Sequence, residues 1–321
     1  MIVITGAAGF IGSYMVGYLN EMGETDLILV DDFSKTEKDH NLANKSYSLK
    51  IDRTVFIKEW SKRQWDVRAV IHLGARTDTS EMDKALFTRL NIHFSQLLWE
   101  YCTMFQAPLI YASSAATYGS GKRGFSDDHD GIPHLEPLNP YGWSKQEVDK
   151  WILKQDSAPP FWAGLKFFNV YGPNEYHKSR MASVIFHAFH QIKTTGAMKL
   201  FRSHRPDFAD GAQSRDFIYV RDIAKVIFFL LNDQKSSGIY NLGTGQARSF
   251  YELVSNVFIN MELPAKISFI DTPLDIRNTY QYFTEAEMSK LRDAGYVGQF
   301  TSLEAGISDY VRRFLNTETH Y

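Results

Sequence analysis

A tyrosine and a lysine in this sequence have the spacing of a proton-transfer pair. Tyr141 and Lys145 lie four residues apart in the run YGWSK, so a helix would place both side chains on one face. A tyrosine with a pKa of about 10 is a poor base at neutral pH, but a lysine one helical turn away favours the phenolate. The pair could therefore exchange a proton with a substrate hydroxyl, although isolated pairs of this spacing are also common on protein surfaces.

A serine hydroxyl is placed to assist this pair. The run YASSAATYG, at 111–119, continues the predicted strand Pro108–Ala112 and contains Ser114. Open α/β proteins bind their ligands at the carboxyl ends of parallel strands. Ser114 is therefore expected to hydrogen-bond the same substrate oxygen as Tyr141 and to orient it.

A glycine-rich turn near the start of the chain could hold a pyrophosphate. The predicted strand Ile2–Thr5 runs into GAAGFIG, in which Gly6, Gly9 and Gly12 are spaced by three, and a helix follows. Glycine lets the backbone turn sharply and approach the phosphates, whose charge the free N–H groups of a helix N-terminus stabilise. Asp31 ends the next predicted strand nineteen residues after Gly12, where a carboxylate can accept ribose hydroxyls. Together these features predict dinucleotide binding, whereas glycines alone are also explained by tight strand–helix packing.

Apolar runs and amphipathic stretches alternate through the first two-thirds of the chain. The predicted strands are Ile2–Thr5, Leu27–Asp31, Ala69–Leu73, Pro108–Ala112, Gly164–Phe168 and Ile239–Leu242. The predicted helices among them are Phe10–Met22, Met82–Met104 and Tyr141–Lys154. This alternation predicts an α/β fold, a Rossmann-type doubly wound parallel sheet with helices on both faces.

The pattern becomes irregular after Val170, which predicts a smaller α/β C-terminal substrate lobe. A polar loop at Ser203–Ser214 interrupts it, and helices are predicted at Met181–Ile192, Asp222–Asn232, Phe250–Met261, Ala286–Ala294 and Leu303–Phe314. We therefore predict that residues 1–169 and about 216–243 bind the dinucleotide, and that residues about 170–215 and 244–321 bind the substrate.

Composition excludes several classes of protein. The 321 residues are 44% hydrophobic and 22% charged with a net charge of −2, so no basic field would attract nucleic acid or an anionic membrane. The single cysteine, Cys102, is expected to be a buried thiol in a reducing compartment. The apolar start Met1–Val16 lacks the basic region of a signal peptide, and no run approaches the roughly 18 apolar residues of a membrane span. We therefore expect a cytoplasmic protein. We also expect no metal site, because the ten histidines do not show the spacing of metal ligands.

The motifs together resemble the extended short-chain dehydrogenase/reductases. The glycine loop, Ser114, Tyr141 and Lys145 match that family in order and spacing, and Asn91 sits where it has a helix asparagine near the cofactor. The runs NVYGP at 169–173 and RDFIYV at 215–220 are similar to signatures of its nucleotide-sugar branch. Sugar 4,6-dehydratases of the family carry Thr-Asp-Glu where this chain has Ser-Ala-Ala, so the resemblance disfavours water elimination.

Nearly the whole chain resembles one group of this branch, the ADP-L-glycero-D-manno-heptose 6-epimerases. The similar runs are YGPNEYHK at 171–178, MASVIFH at 181–187, KLF at 199–201, YNLGTG at 240–245 and YQYFT at 280–284. The chain departs from some members at Asp32, where asparagine is frequent, and in the length of the loop Ser203–Ser214. Those departures bear on cofactor preference and nucleotide binding, and not on the reaction.

The resemblance implies inversion of carbon 6 of an ADP-sugar through a transient ketone, with a recycled nicotinamide cofactor. It implies a homo-oligomer, a pentamer in the family, that supplies heptose for the inner core of bacterial lipopolysaccharide. Lys178 matches the family's second acid/base, whereas from the residues alone a phosphate contact or an exposed lysine is the better interpretation. The implied substrate-binding residues are Ser114, Asn169, Lys178, His187, Phe201, Arg215 and Tyr280, although His187 could instead serve packing. The implied cofactor-binding residues are Gly6, Gly9, Phe10, Ile11, Gly12, Asp31, Asp32, Lys38, Asn91 and Lys145.

Two alternatives stay open at the level of sequence. Asp31 would repel a 2′-phosphate and favour NAD, whereas Lys35 and Lys38 could bind that phosphate and favour NADP, the cofactor implied by the resemblance. A UDP-hexose 4-epimerase would share the Ser114, Tyr141 and Lys145 constellation. A non-catalytic dinucleotide sensor is disfavoured, because it would lack those three side chains.

Overall fold

The computed structural model describes residues 1–277 and 280–321. Within these ranges the strands are β1 Ile2–Thr5, β2 Leu27–Asp31, β3 Leu49–Asp52, β4 Ala69–His72, β5 Leu109–Ser114, β6 Trp162–Phe167, β7 Asn169–Tyr171, β8 Met198–Phe201, β9 Ser214–Tyr219, β10 Gly238–Leu242, β11 Ala247–Ser249 and β12 Ile267–Ile270. The α-helices are α1 Phe10–Glu21, α2 Phe56–Arg63, α3 Lys84–Phe87, α4 Phe94–Met104, α5 Pro140–Ile152, α6 Val184–Thr195, α7 Val220–Asp233, α8 Phe250–Asn260, α9 Leu274–Arg277, α10 Ser289–Asp293 and α11 Leu303–Tyr310.

Seven parallel strands form the central sheet in the order β10-β6-β5-β4-β1-β2-β3. Its two faces are buried by different helices, because successive strand residues point to opposite sides. Ile2 and Ile4 pack in the cluster that contains α1 and α7 residues, whereas Val3 packs in the cluster that contains α2, α4 and α5 residues. The predicted Rossmann-type doubly wound sheet is thereby confirmed.

The remaining strands form two small sheets beside the central one. One has the order β11-β9-β7, with β9 antiparallel to β11 and parallel to β7, and the other pairs β8 with β12 in parallel. The chain therefore leaves the central sheet after β6, returns for β10 and leaves again. These sheets place the Arg215 and Phe201 strands beside the carboxyl edge of the central sheet.

Several predicted helix boundaries were wrong, and each has a local reason. The segment predicted as Met82–Met104 begins at Lys84, where the Asp83 carboxylate caps α3, and a π-helical turn at Thr88–His93 separates α3 from α4. The helix predicted from Met181 begins at Val184, because the Ser183 hydroxyl accepts the Phe186 N–H and caps α6. Residues before Ser183 form a separate 3₁₀ turn, Tyr176–Met181.

One C-terminal prediction was too long, because the helix predicted at Ala286–Ala294 is only Ser289–Asp293. The helical segment predicted at Leu303–Phe314 is present, with α-helix at Leu303–Tyr310 that continues as π-helix at Val311–Leu315. Strand β3 was missed because it is a short edge strand with one buried residue, Ile51, so its apolar pattern is weak. In the described ranges, no helix has the length and apolar composition required to cross a membrane.

Candidate active site

The glycine loop has the geometry of a pyrophosphate cradle. Gly6 has a φ of +68°, a conformation that side chains disfavour. A Cβ at Gly12 would lie 2.0 Å from the Gly6 carbonyl oxygen, so only glycine lets α1 approach the loop this closely. Helix α1 starts after Gly9, which has no side chain to cap its N–H groups. Those groups, with Phe10 and Ile11 in the first turn, fit the phosphates of a dinucleotide.

The end of β2 carries two acids and two cations. The Asp31 carboxylate accepts the Ala8 N–H at 2.8 Å and pairs with the Lys38 ammonium at 2.9 Å. Beside it, the Asp32 carboxylate lies 3.3 Å from the Arg53 guanidinium. Lys38 therefore lies where sequence reasoning placed it. Arg53 was missed, because only the pairing of β3 with β2 brings it here.

Helix α5 and strand β5 place the proton-transfer residues together. The Asn139 side chain caps α5 by accepting the Gly142 N–H at 2.8 Å, which fixes the start of the helix one residue before Tyr141. The Lys145 ammonium donates to the Ala112 carbonyl at 2.7 Å, two residues before Ser114. Burial raises the pKa of Tyr141, and the adjacent Ser114 hydroxyl acts in the opposite direction. Burial lowers the pKa of Lys145 to about 8.

A buried ion pair lies directly behind these residues. The Asp149 carboxylate, one turn after Lys145, accepts the Lys166 ammonium at 2.6 Å and the Ser113 hydroxyl at 2.7 Å. Lys166 also donates to the Thr117 hydroxyl at 2.8 Å. Both charged side chains are 0% exposed. The network ties α5 to β5 and β6 next to the reactive side chains, and the lysine within an otherwise apolar strand was a signal that sequence reasoning passed over.

Asn91 is buried with its amide engaged by the protein. Its oxygen accepts the Arg76 N–H at 2.8 Å, and its nitrogen donates to the Arg76 carbonyl at 3.0 Å and the Ser144 hydroxyl at 2.9 Å. Asn91 therefore joins the loop after β4 to helix α5. Asn91 would therefore influence a bound cofactor indirectly, by fixing the position of that loop.

Lys178 lies on the 3₁₀ turn after β7 and faces the glycine loop. Its ammonium is 5.1 Å from the centroid of the Phe10 ring. Burial lowers the pKa of Lys178, and the nearby Glu175 carboxylate counteracts that shift. The fold thus brings a second ionisable group to the cofactor loop from an element separate from α5.

The Arg215 side chain lies between aromatic rings. The Arg215 guanidinium lies 5.5 Å from each of the Phe250 and Tyr280 rings, and Phe201 packs edge-on against Tyr280 at 6.0 Å. Arg215 donates to the Ser214 carbonyl at 2.9 Å, and burial lowers its pKa to about 10. Three predicted substrate residues, Phe201, Arg215 and Tyr280, are therefore brought together.

The other two predicted substrate residues lie at the margins of this region. Asn169 is exposed at the start of β7, where the chain leaves the central sheet. His187 is half-buried on α6, and its Nε2 lies 3.3 Å from the Arg180 carbonyl oxygen. His187 therefore borders the turn that carries Lys178 and is not enclosed in the core.

Comparison with known proteins identifies the family. Residues 2–243 match the model of the NAD dependent epimerase/dehydratase family. The chain belongs to this family. The match spans the glycine loop, Ser114 and the Tyr141–Lys145 pair, and it agrees with a nicotinamide cofactor and an epimerase-type enzyme.

Individual members of the epimerase/dehydratase family are similar over the whole chain. An ADP-L-glycero-D-manno-heptose-6-epimerase from Nitratidesulfovibrio vulgaris is 49% identical, with 98% of each chain covered. One of the same name from Fusobacterium nucleatum is 44% identical, with 100% of each chain covered. The crystal structure of the Helicobacter pylori ADP-L-glycero-D-manno-heptose-6-epimerase has a TM-score of 0.80 at 28% identity, covering 97% of this chain and 95% of that one. The resemblance predicted from the runs at 171–178 and 181–187 is confirmed.

Proposed function

We propose that this protein converts ADP-D-glycero-D-manno-heptose to ADP-L-glycero-D-manno-heptose by epimerisation at carbon 6. One observation carries the proposal: Lys178 reaches the glycine loop from a turn of its own, separate from the helix that carries Tyr141. Inversion of a hydroxyl-bearing carbon requires proton transfer on both sides of a ketone, and one tyrosine does not serve both. The names of the relatives that are 44–49% identical support the same reaction.

The proposed mechanism divides the work among four side chains. The glycine loop would hold the pyrophosphate of a nicotinamide dinucleotide, and that cofactor would supply reversible hydride transfer at carbon 6. Tyr141, helped by the Lys145 charge, removes or returns the hydroxyl proton on one side, and Ser114 orients that oxygen. Lys178 performs the same transfer on the opposite side. Stabilising the phenolate is the role of Lys145, since an opposite charge nearby favours the ionised tyrosine.

The substrate would lie between these groups and the second lobe. The planar guanidinium of Arg215 can hold two diphosphate oxygens at once. Phe201 and Tyr280 offer aromatic surface beside it. Asn169, at the start of β7, and His187, on α6, would complete the proposed ADP-sugar site.

We infer that the cofactor is NADP. The pairing of Asp31 with Lys38 neutralises the carboxylate that would otherwise repel a 2′-phosphate. Lys38 and Arg53 place two cations at the end of β2, where the adenosine ribose of a dinucleotide binds in Rossmann folds. Asp32 would contribute by holding the Arg53 guanidinium in place, and Asn91 would contribute by holding the loop after β4 against helix α5.

The proposed cofactor and substrate sites divide the chain into two binding regions. Residues 1–169 and about 216–243 would bind the cofactor, and residues about 170–215 and 244–321 the ADP-sugar. A cytoplasmic homo-oligomer, pentameric as the resemblance implies, stays an expectation. Sedimentation equilibrium of the purified protein tests the oligomeric state.

Proton NMR of ADP-D-glycero-D-manno-heptose incubated with the purified protein tests the reaction. We expect the signals of the 6-epimer to appear without added cofactor, because the nicotinamide would be carried with the enzyme. No change after addition of NADP or NAD would contradict the proposal. Turnover of a UDP-hexose in its place would establish a 4-epimerase instead.

A further inference from the structure

The turn that carries Lys178 is closed by a buried carboxylate. Glu175 lies directly before the turn and is 0% exposed. Its carboxylate accepts the Ser183 backbone N–H at 2.6 Å and the Ser183 hydroxyl at 2.6 Å. Ser183 lies two residues after the last residue of the turn and caps α6. One side chain thus joins the two ends of the turn.

The same carboxylate anchors the turn to a distant part of the chain. The Tyr310 hydroxyl, at the end of α11, donates to Glu175 at 2.9 Å. The neighbouring Tyr176 hydroxyl donates to the Phe314 carbonyl at 3.0 Å. The segment after residue 310 therefore supports the start of the turn, although it contributes no residue to the proposed chemistry.

The turn is held by contacts to other parts of the chain, which include the Tyr176 hydroxyl bond described above and an ion pair of Arg180 with Asp78 at 3.1 Å. Across the described turn Tyr176–Met181, no residue is buried. Ser179 has φ +47° and ψ −128°, a backbone conformation that disfavours residues other than glycine. A strained turn without a fully buried residue persists only where surrounding contacts determine it. Among these contacts, Glu175 provides the buried one that joins the two ends of the turn.

The charge on Glu175 also acts on Lys178. The Lys178 backbone N–H donates to the Glu175 carbonyl at 3.0 Å, so the two residues are joined through the main chain. In the described part of the chain, the Lys178 ammonium has no hydrogen-bond partner, which leaves it available to a ligand. The Glu175 carboxylate is thus a negative charge near the Lys178 ammonium but does not accept a hydrogen bond from it.

We propose that Glu175 is a positioning residue that holds Lys178 in place for proton transfer, with Ser183 and Tyr310 as its partners. The proposal rests on the proposed function of Lys178 as the second acid/base. Loss of the Glu175 carboxylate would release the turn without removing any group that touches the substrate. Its effect should therefore imitate the loss of Lys178.

Rapid mixing of the holoenzyme with each carbon-6 epimer separately tests this proposal. The signal is the near-ultraviolet absorbance of reduced nicotinamide. If Tyr141 and Lys178 serve opposite sides, Lys178→Met slows cofactor reduction by one epimer far more than by the other. We expect Glu175→Gln to slow the same epimer selectively, by at least about tenfold, which corresponds to roughly 1.4 kcal/mol. Tyr310→Phe removes one of the three hydrogen-bond donors to Glu175. It should shift the ratio of the cofactor-reduction rates with the two epimers in the same direction, but by less.

Asp222→Asn is the matched control. Asp222 is also 0% exposed and accepts three hydrogen bonds, from the Thr301 N–H, the Thr301 hydroxyl and Lys225, but it lies on α7 away from the turn. General loss of stability should affect both epimers equally in this variant. Equal slowing of both epimers by Glu175→Gln would overturn the positioning role while leaving the role of Lys178 intact. Equal slowing of both epimers by Lys178→Met would instead contradict the proposed role of Lys178 as the second acid/base. If Glu175→Gln does not fold, an unchanged ratio in Tyr310→Phe overturns the inference.

Discussion

The Lys38 ammonium lies 2.9 Å from the Asp31 carboxylate at the end of β2, and both side chains are largely buried. This pair combines the two features that point to different cofactors when the sequence is taken alone. Because the cation neutralises the acid, we expect the pocket as a whole to tolerate the 2′-phosphate of NADP. Cofactor preference would then depend on the pair and not on either residue alone.

Replacing Lys38 should change cofactor preference. In Lys38→Met we expect NADP affinity to fall about ten- to a hundredfold, the effect of losing one hydrogen bond to a charged group, with little change for NAD. Binding titrations of the cofactor-free protein with each dinucleotide measure this. Lys62→Met is the control, since Lys62 is an exposed lysine on α2 and is not among the predicted cofactor residues. Equal loss of both affinities would assign Lys38 a structural role.

Replacing Tyr141 should nearly abolish turnover and leave the fold intact. General acid–base catalysis contributes about 10²- to 10⁴-fold, so we expect a loss of kcat in this range for Tyr141→Phe. The half-buried ring is kept, and the urea midpoint of unfolding should therefore change little. Retention of most activity would show that another group transfers the proton.

Removing the Ser114 hydroxyl should shift the pH profile to higher pH. Burial raises the pKa of Tyr141 and the Ser114 hydroxyl lowers it, so its loss leaves the raising effect unopposed. The base form of Tyr141 is then reached only at higher pH. A shift of about half to one pH unit in the acidic limb of kcat/KM is expected for Ser114→Ala. Ser114→Thr keeps the hydroxyl and should keep the profile; a shift to lower pH in the alanine variant would refute this account.

Breaking the Asp149–Lys166 pair should destabilise the protein strongly. Removing one partner of a buried ion pair leaves an uncompensated charge, which typically costs about 3–5 kcal/mol. We expect Lys166→Met to lower the free energy of unfolding by this amount, measured by urea denaturation at neutral pH. The double variant Asp149→Leu/Lys166→Met removes both charges of the pair and should be less destabilised. A cost below about 1 kcal/mol for the single change would mean that water reaches the site.

Much of the site could be predicted from sequence because its motifs are contiguous. The glycine loop folds around its own helix, and Tyr141 and Lys145 share a face because they are one turn apart. Ser114 follows from the rule that parallel strands end at a common edge. The resemblance to a known family added Lys178, Arg215 and the residues of the second lobe.

Helix edges were less predictable, since they depend on single caps. The Ser183 hydroxyl and the Asp83 carboxylate fix helix starts that the apolar periodicity placed two or three residues away. The small sheets were missed because their strands are three to six residues long and pair with distant partners.

The sequence by itself determined the parallel sheet, the dinucleotide loop and the Ser114–Tyr141–Lys145 constellation, because each is encoded by neighbouring residues with a fixed period or spacing. Only the tertiary structure decided which charges meet. Arg53 joins Asp32 across two strands, Lys166 meets Asp149 behind the reactive helix, and Tyr310 bonds Glu175 beneath the Lys178 turn. Such pairs form between residues far apart in the chain, where no local pattern records the partner and only burial makes the contact necessary.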